Sequence, residues 1–552
     1  MSPAPTAPCA ERDRGRSSGH RTPAPHPSLV LRFAGAAALL ALLPNAAWAQ
    51  SSNTRVSVTD TLQIEYRGDN RNTSTIDDNY GALINRLNLT GNAGNLASAI
   101  RVDSFGFQGA DPQAYRNQAR LERINVRYGV GDFTLEFGDF YRQLGRGIVL
   151  SLRKVDEAGL DVSLQGGSVQ YASDIQEIEV FVGRTNTSNI DAITQRYLDD
   201  VGDVLLGFDY ALLAIAGAEA HVFGTYAEPE FSRFDESGSA LQDLLLDREG
   251  ESVRRDHAET GGISVELPAV THWLSVYAEA DYQTRDELNE STEGNAQYGT
   301  VDLHFGDNTI LLEGTRISNM QQLASRNSVL GTPFLYATPP SLERFDQEVL
   351  NLNDYQGGRV RVERYFAGPD LSANANFMVR QTDPGADQTT RQLHGYAGFE
   401  WYYQDAQSRL VINGGYRTED QTEVVEAELF KSLRHFDVDW LQHLGGVYAL
   451  HLQSFNEFRT LSGDPFQRGS TLLGLERAGT GALSFEYGYD TTSGVEGTAN
   501  FFYAGILQVI LNSHFTLQST VGTQRGGIKC INGICRNYPG FAGGSVVLIS
   551  RW

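Results

Sequence analysis

Residues 271–285 read THWLSVYAEADYQTR. Leu274, Val276, Ala278, Ala280 and Tyr282 fall on one side of an extended chain; Ser275, Glu279, Asp281, Gln283 and Arg285 fall on the other. Successive side chains of a pleated strand point to opposite faces, so a period of two over this length predicts a β-strand. The apolar face must meet a core or lipid. The second face carries too much charge for the closed interior of a β-sandwich.

The same alternation recurs outward from this stretch. In residues 481–490, Leu483, Phe485, Tyr487 and Tyr489 oppose Ser484, Glu486 and Asp490. In residues 391–403, Leu393, Ala397, Phe399 and Trp401 oppose Gln392, His394 and Glu400; in residues 432–440, Phe436, Val438 and Trp440 oppose His435, Asp437 and Asp439. Between such segments the connections are alternately short and long. Short turns are expected at residues 92–96, 129–133, 216–220, 268–272, 306–308, 368–369, 404–408, 442–445, 479–481 and 512–513. Long connections are expected at residues 185–202, 232–254 and 320–356. This predicts an all-β fold: a single large antiparallel transmembrane β-barrel of about 24 strands, with short periplasmic turns and long extracellular loops.

Bulk properties agree with a barrel and exclude other classes. After the N-terminus, no apolar run is long enough for a spanning helix, but a barrel wall averages lipid-facing and lumen-facing residues and needs none. The net charge of −24 argues against a nucleic-acid partner, whose binding surface is basic. Arg32 precedes the apolar residues 33–43, and Ala47-Trp48-Ala49 forms a small-residue cleavage site before Gln50. Residues 1–49 are therefore expected to be a signal peptide and residues 50–552 the barrel of a bacterial outer-membrane protein. The Pro/Arg/Ser-rich residues 1–27 are long for a signal's first region, and a translation start downstream of Met1 would account for them.

The four Trp after the cleavage site, Trp273, Trp401, Trp440 and Trp552, all fall at predicted periplasmic strand ends, as an interfacial aromatic girdle requires. The chain ends SVVLISRW, an apolar strand closed by an aromatic residue. It resembles the C-terminal strand through which barrel-assembly machinery recognises outer-membrane barrels, except that Ser550 stands where a bulky residue is usual. Expected partners are outer-membrane lipid, lipopolysaccharide, that machinery and small solutes; no cofactor is implied.

Residues 135–167 read LEFGDFYRQLGRGIVLSLRKVDEAGLDVSLQGG. The core G-D-F-Y-x-Q-x-G-x-G-x-x-L, followed by Leu160-Asp161 before Gly166-Gly167, resembles an uncharacterised family of bacterial outer-membrane barrels, porin-like in form. The resemblance implies location and fold and supplies no activity. A looser similarity is to porin-like polysaccharide exporters. The segment is rich in Gly and in positive charge: Arg142, Arg146, Arg153 and Lys154 lie within it, and Arg123 and Arg127 alternate with Ile124 and Val126 on the preceding strand. Two readings stand. A glycine-rich loop can fold back and narrow the barrel, its arginines facing acids such as Glu136 and Asp139 and setting ion selectivity; or it is a solvated surface loop. His435, Asp437 and Asp439 share one face and could hold a divalent cation, although polar alternation is ordinary inside a barrel.

No G-x-S-x-G, H-E-x-x-H, phosphate-binding loop or Cys/His cluster occurs, so no enzyme is expected. The leading function is a passive channel for small hydrophilic solutes. The rival is a loop-filled barrel serving as a binding or assembly platform, presenting residues 185–202, 232–254 and 320–356. An outer-membrane hydrolase is third.

Cys530 and Cys535 flank Ile531-Asn532-Gly533-Ile534, and Asn-Gly favours a two-residue hairpin turn. The two Cys then form the non-hydrogen-bonded pair, whose close backbones suit a disulfide, and an oxidising envelope favours the bridge. Free thiols, or a metal site lacking further ligands, are the alternatives. Thiol labelling on intact cells should fail without reductant and succeed with it; labelling of untreated cells would defeat the bridge.

Overall fold

The computed structural model describes residues 54–70, 75–198, 202–215, 217–229, 257–287, 290–320, 336–344, 354–382, 389–421, 432–461, 464–491, 501–531 and 534–552. The expected signal peptide and residues 232–254 lie outside them. Residues 54–552 form one unit. It is a closed, all-antiparallel barrel of 24 strands, running from Thr54–Arg67 through Leu274–Glu287 to Phe541–Arg551. Each strand pairs with its neighbour in sequence, and the first closes on the last from Thr59↔Arg551 to Arg67↔Gly543. Closure leaves no unpaired edge, as lipid demands.

On strand Leu274–Glu287 the polar side is buried, with Glu279 4% and Gln283 0% exposed, while Tyr282 is 49% exposed. The protein is inside out relative to a soluble one: charge faces a packed lumen, and Ile263, Phe377, Phe485 and their like face outward as an apolar belt. That closed wall and belt make the chain an outer-membrane barrel.

Both ends of the wall lie at the rim of short turns, since Thr54 pairs with Ala93 beside one turn and Ser550 with Phe515 beside another. The turns fall within a few residues of their expected places; the one after Thr271 consists of His272 and Trp273, so this tryptophan sits in the turn itself. Trp273 stacks on Phe305 and Trp401 on Tyr403; Trp440 donates from Nε1 to the Tyr403 hydroxyl at 2.8 Å, and Trp552 packs edge-on against Phe515.

Two expectations need correction, and one holds with an addition. The alternation of connection lengths is not strict: at the opposite rim, pairing runs up to Glu287↔Glu290 and Leu461↔Asp464, leaving two-residue connections there. Arg123 points inward and Ile124 outward, as the alternation predicts, and only Glu122 departs from it. A bulge opposite Arg101 and Val102 leaves Glu122 unpaired in register, so Glu122 and Arg123 are both buried while Leu121 and Ile124 stay outside. Finally, in the connection at residues 185–202 the described residues 185–198 are mostly folded inward and not displayed to a partner. Asn189, Ile190, Asp191 and Gln195 are buried. Ile190 packs with Tyr80, Phe105 and Tyr115, and the backbone of Asn189 donates to Glu122 at 3.1 Å.

An arginine on the apolar belt should be costly: Ile263→Arg is expected to lower stability by about 2–4 kcal/mol if the site lies near the bilayer midplane. Urea unfolding in lipid vesicles reads this directly, and an unchanged midpoint would mean that Ile263 does not face lipid.

Candidate functional site: a strut across the lumen

Side chains alone cannot fill a barrel of this size, and the space is occupied by chain that folds inward. After strand Phe133–Phe140 the chain forms a small hairpin, Arg142–Leu144 paired with Leu150–Leu152. It then reaches a 3-10 turn, Asp156–Ala158, before strand Leu160–Ala172. Val149, Leu150 and Leu152 are buried against Leu160, Val162, Leu164, Phe181, Leu205 and Phe223. Each such residue contributes roughly 1.5–3 kcal/mol of burial. Ile148 reaches a separate cluster with Ala296, Ile317, Met320 and Tyr355. The hairpin therefore bridges two parts of the wall.

Glycine makes the tip possible. Gly145 has φ 52° and Gly147 φ 83°, backbone that other residues adopt only at a cost. A Cβ at Gly145 would lie 2.4 Å from a Glu279 carboxylate oxygen. That carboxylate accepts the backbone N–H of Arg146 at 2.7 Å. The spacing of glycines in this segment thus encodes a loop that turns inward.

A second segment, residues 336–344, continues the bridge. Ser151 donates to the Tyr336 carbonyl at 2.6 Å and Thr338 to the Gly147 carbonyl at 2.7 Å, joining the two loops like strands. The Tyr336 hydroxyl contacts Asp203 and Thr185 at one end. Tyr355, its ring 4.2 Å from the Arg380 guanidinium, donates to the Pro340 carbonyl. At the far end Glu343 and Arg344 meet the opposite wall. These three hydrogen bonds assign the tautomers: Arg344 donates to His435 Nδ1 (3.0 Å), His435 Nε2–H donates to His394 Nε2 (3.0 Å), and His394 Nδ1–H donates to Glu343. Arg417 and Asp437 add ion pairs to Glu343 and Arg344. Burial alone would raise the Glu343 carboxyl, but the hydrogen bond from His394 Nδ1–H and the positive charge of Arg417 outweigh it and hold the carboxyl down at about 2.

The six expected basic residues do not form one ring. Arg123, Arg127, Arg142 and Lys154 line a cavity of about 620 Å³ at the hairpin's root, whereas Arg146 and Arg153 line another of about 370 Å³ at its far side. Arg123 is locked by Asp161 and the carbonyls of Glu122 and Asn186. Arg142 pairs with Glu136, as expected, and with Glu179, both at 2.6 Å. Asp139 instead accepts from the Ile124 backbone, Ser163 and Asn186. Lys154 is exposed and pairs with Asp156. Burial holds the Arg153 guanidinium below its ordinary value, and no acid among the described residues offsets it. His435, Asp437 and Asp439 do not converge: Asp439 turns to Arg409 and His451, and no metal-holding group of three or more His, Cys, Asp or Glu exists among the described residues. The sequence reading missed Glu343 and Arg344, which no local pattern marks.

The Cys530↔Cys535 backbone pair forms as expected, in a hairpin whose base residue Tyr538 donates to the Glu157 carbonyl.

Because the Glu343 carboxyl lies below its ordinary 4.5, its stabilisation of the strut is complete above pH 4.5 and is lost as pH falls from there toward about 2. Bilayer recordings should show quiet behaviour at pH 5.5 and loop flicker near pH 3, with Glu343→Gln flickering at both. Identical traces at the two pH values would sink this anchor. Gly145→Val, straining an αL position by about 1–2 kcal/mol and striking Glu279, should loosen the tip at every pH.

No family model matches the sequence, and no curated protein matches it. Among solved structures, the siderophore receptor PirA from Pseudomonas aeruginosa is similar at 8% identity, TM-score 0.45, covering 91% of this chain and 81% of that one. A BenF-like porin from Pseudomonas fluorescens Pf-5 is similar at 9% identity and TM-score 0.37, covering 67% of this chain and 94% of that one. The translocation pore of the P pilus usher PapC is similar at 8% identity and TM-score 0.42, covering 90% and 99%. At these TM-scores none of them bears on what this barrel does.

Proposed function

We propose that the protein is a passive, porin-like channel for small hydrophilic solutes, narrowed by an internal strut. The observation that carries this reading is the lumen's contents. The inward hairpin and residues 336–344 leave polar, charge-lined cavities of about 620 and 370 Å³ beside them instead of an apolar fill. Arg123, Arg127, Arg142, Arg146, Arg153 and Lys154 would then bias the passage toward anions. Membership of the uncharacterised barrel family, export by residues 1–49, assembly through the C-terminal strand, contact with lipopolysaccharide, the Cys530–Cys535 disulfide and the absence of catalysis belong to the same proposal.

A second reading has its own support. Three inward segments, at residues 142–152, 188–198 and 336–344, are anchored by buried hydrogen bonds, as a sealed platform would require. Planar bilayers separate the two. A channel conducts as purified, and replacing Arg142, Arg146 and Arg153 with Ser moves its reversal potential toward cation preference. A platform stays silent until residues 142–152 are replaced by a short glycine linker, and silence of the wild-type protein would overturn the channel.

A further inference from the structure

The cavity between the two inward loops has a composition at odds with the chain around it. The protein carries a net charge of −24. Yet this cavity of about 370 Å³ is lined by Arg146, Arg153, Arg344, Arg359, Arg361 and Tyr396, with only two carboxylates, Glu313 and Glu343. Five guanidinium groups have been gathered from three separate places: the hairpin, the second loop and strand Tyr355–Phe366.

Their existing partners do not account for them. Arg344 is held by Asp437, and Arg359 by Glu313 and the Leu342 carbonyl. Arg361 pairs with Glu363 along its own strand, both substantially exposed. Arg146 reaches Glu266 only at 3.4 Å with both side chains 44% exposed, while its guanidinium lies 4.1 Å from the Tyr277 ring. Glu343 already pairs with His394 and Arg417. Arg153 has no carboxylate partner among the described residues, and its buried Nε finds no hydrogen-bond acceptor. The Nε of Arg359 is likewise buried without an acceptor. Buried donors without acceptors are costly, and a molecule that supplies oxygens there would relieve two of them.

We propose that this cavity binds a small oxyanion, a carboxylate or phosphate, held between Arg153 and Arg359 with Arg361 and Arg146 at its open side. The planar guanidinium fork matches such groups by paired charge-assisted hydrogen bonds. The volume equals roughly a dozen waters, enough for one small organic acid. Because the site lies on the strut, the anion would meet it while crossing the lumen. That direction of travel rests on the channel reading; binding does not.

The test uses the full-length barrel purified in detergent and titrated calorimetrically with sodium phosphate, sodium succinate and glucose. Phosphate, succinate or both should bind, and whichever does names the oxyanion; glucose should give no binding heat. The double variant Arg153→Gln/Arg361→Gln should weaken binding at least tenfold, and Arg153→Lys, which keeps charge but loses the fork, should fall between. Arg55→Gln, at the short-turn rim, should bind as the wild type does. Gel mobility without boiling confirms that each variant is folded. Failure of both anions to bind, or equal binding by the folded double variant, would overturn the site. In bilayers the bound anion should block chloride current in the wild type and at least tenfold less in the double variant. Binding without any current would sink the channel and leave the site, whereas current without binding would do the reverse.

Discussion

A backbone amide in lipid has no water to fall back on, and everything else in this protein follows from that. Each N–H and C=O of the wall must pair with a neighbouring strand, so the wall must close, and here it closes through Thr59↔Arg551 to Arg67↔Gly543. Closure with 24 strands sets a circumference whose lumen exceeds what wall side chains can fill. The chain answers with its own loops. The inward hairpin, residues 188–198 and residues 336–344 are thus consequences of barrel size, and the cavities beside them are what that filling leaves.

How the strut is held says something about its purpose. One end rests on apolar burial of Val149, Leu150 and Leu152, which is tolerant of small shifts. The other rests on Glu343, Arg344, His394, Arg417, His435 and Asp437, where every contact is directional. Buried ion pairs add little net stability once desolvation is counted, but removing one partner is strongly destabilising. Such a network therefore specifies where the loop sits more than it strengthens the fold. A loop positioned this way keeps the cavities beside it in a fixed shape, and the same network is local to the strut's far end, apart from the pairing of the wall.

The bulge at Glu122 serves the same end. By turning two consecutive side chains inward it brings Arg123 to Asp161 and Glu122 to the backbone of Asn189, tying the hairpin's root to the loop at residues 188–198. The inward segments are linked to one another as well as to the wall.

The sequence by itself determined the wall. Period two in residues 271–285 is a local property of a pleated chain, and it specified strand, faces and an inverted sense of burial without reference to any distant residue. It also carried the hairpin as far as its glycines, since positive φ at Gly145 and Gly147 is a local demand. Only the tertiary structure decided where the charges went. Arg146 and Arg142 are four residues apart, yet they line different cavities, because the hairpin turns between them. Glu343 finds His394 and Arg417, and Arg359 joins Arg153, across the lumen. Pairings between strands far apart in sequence depend on the closed circumference and on loops that span it, and no periodicity within a segment can encode a distance across a space that exists only once the barrel has closed.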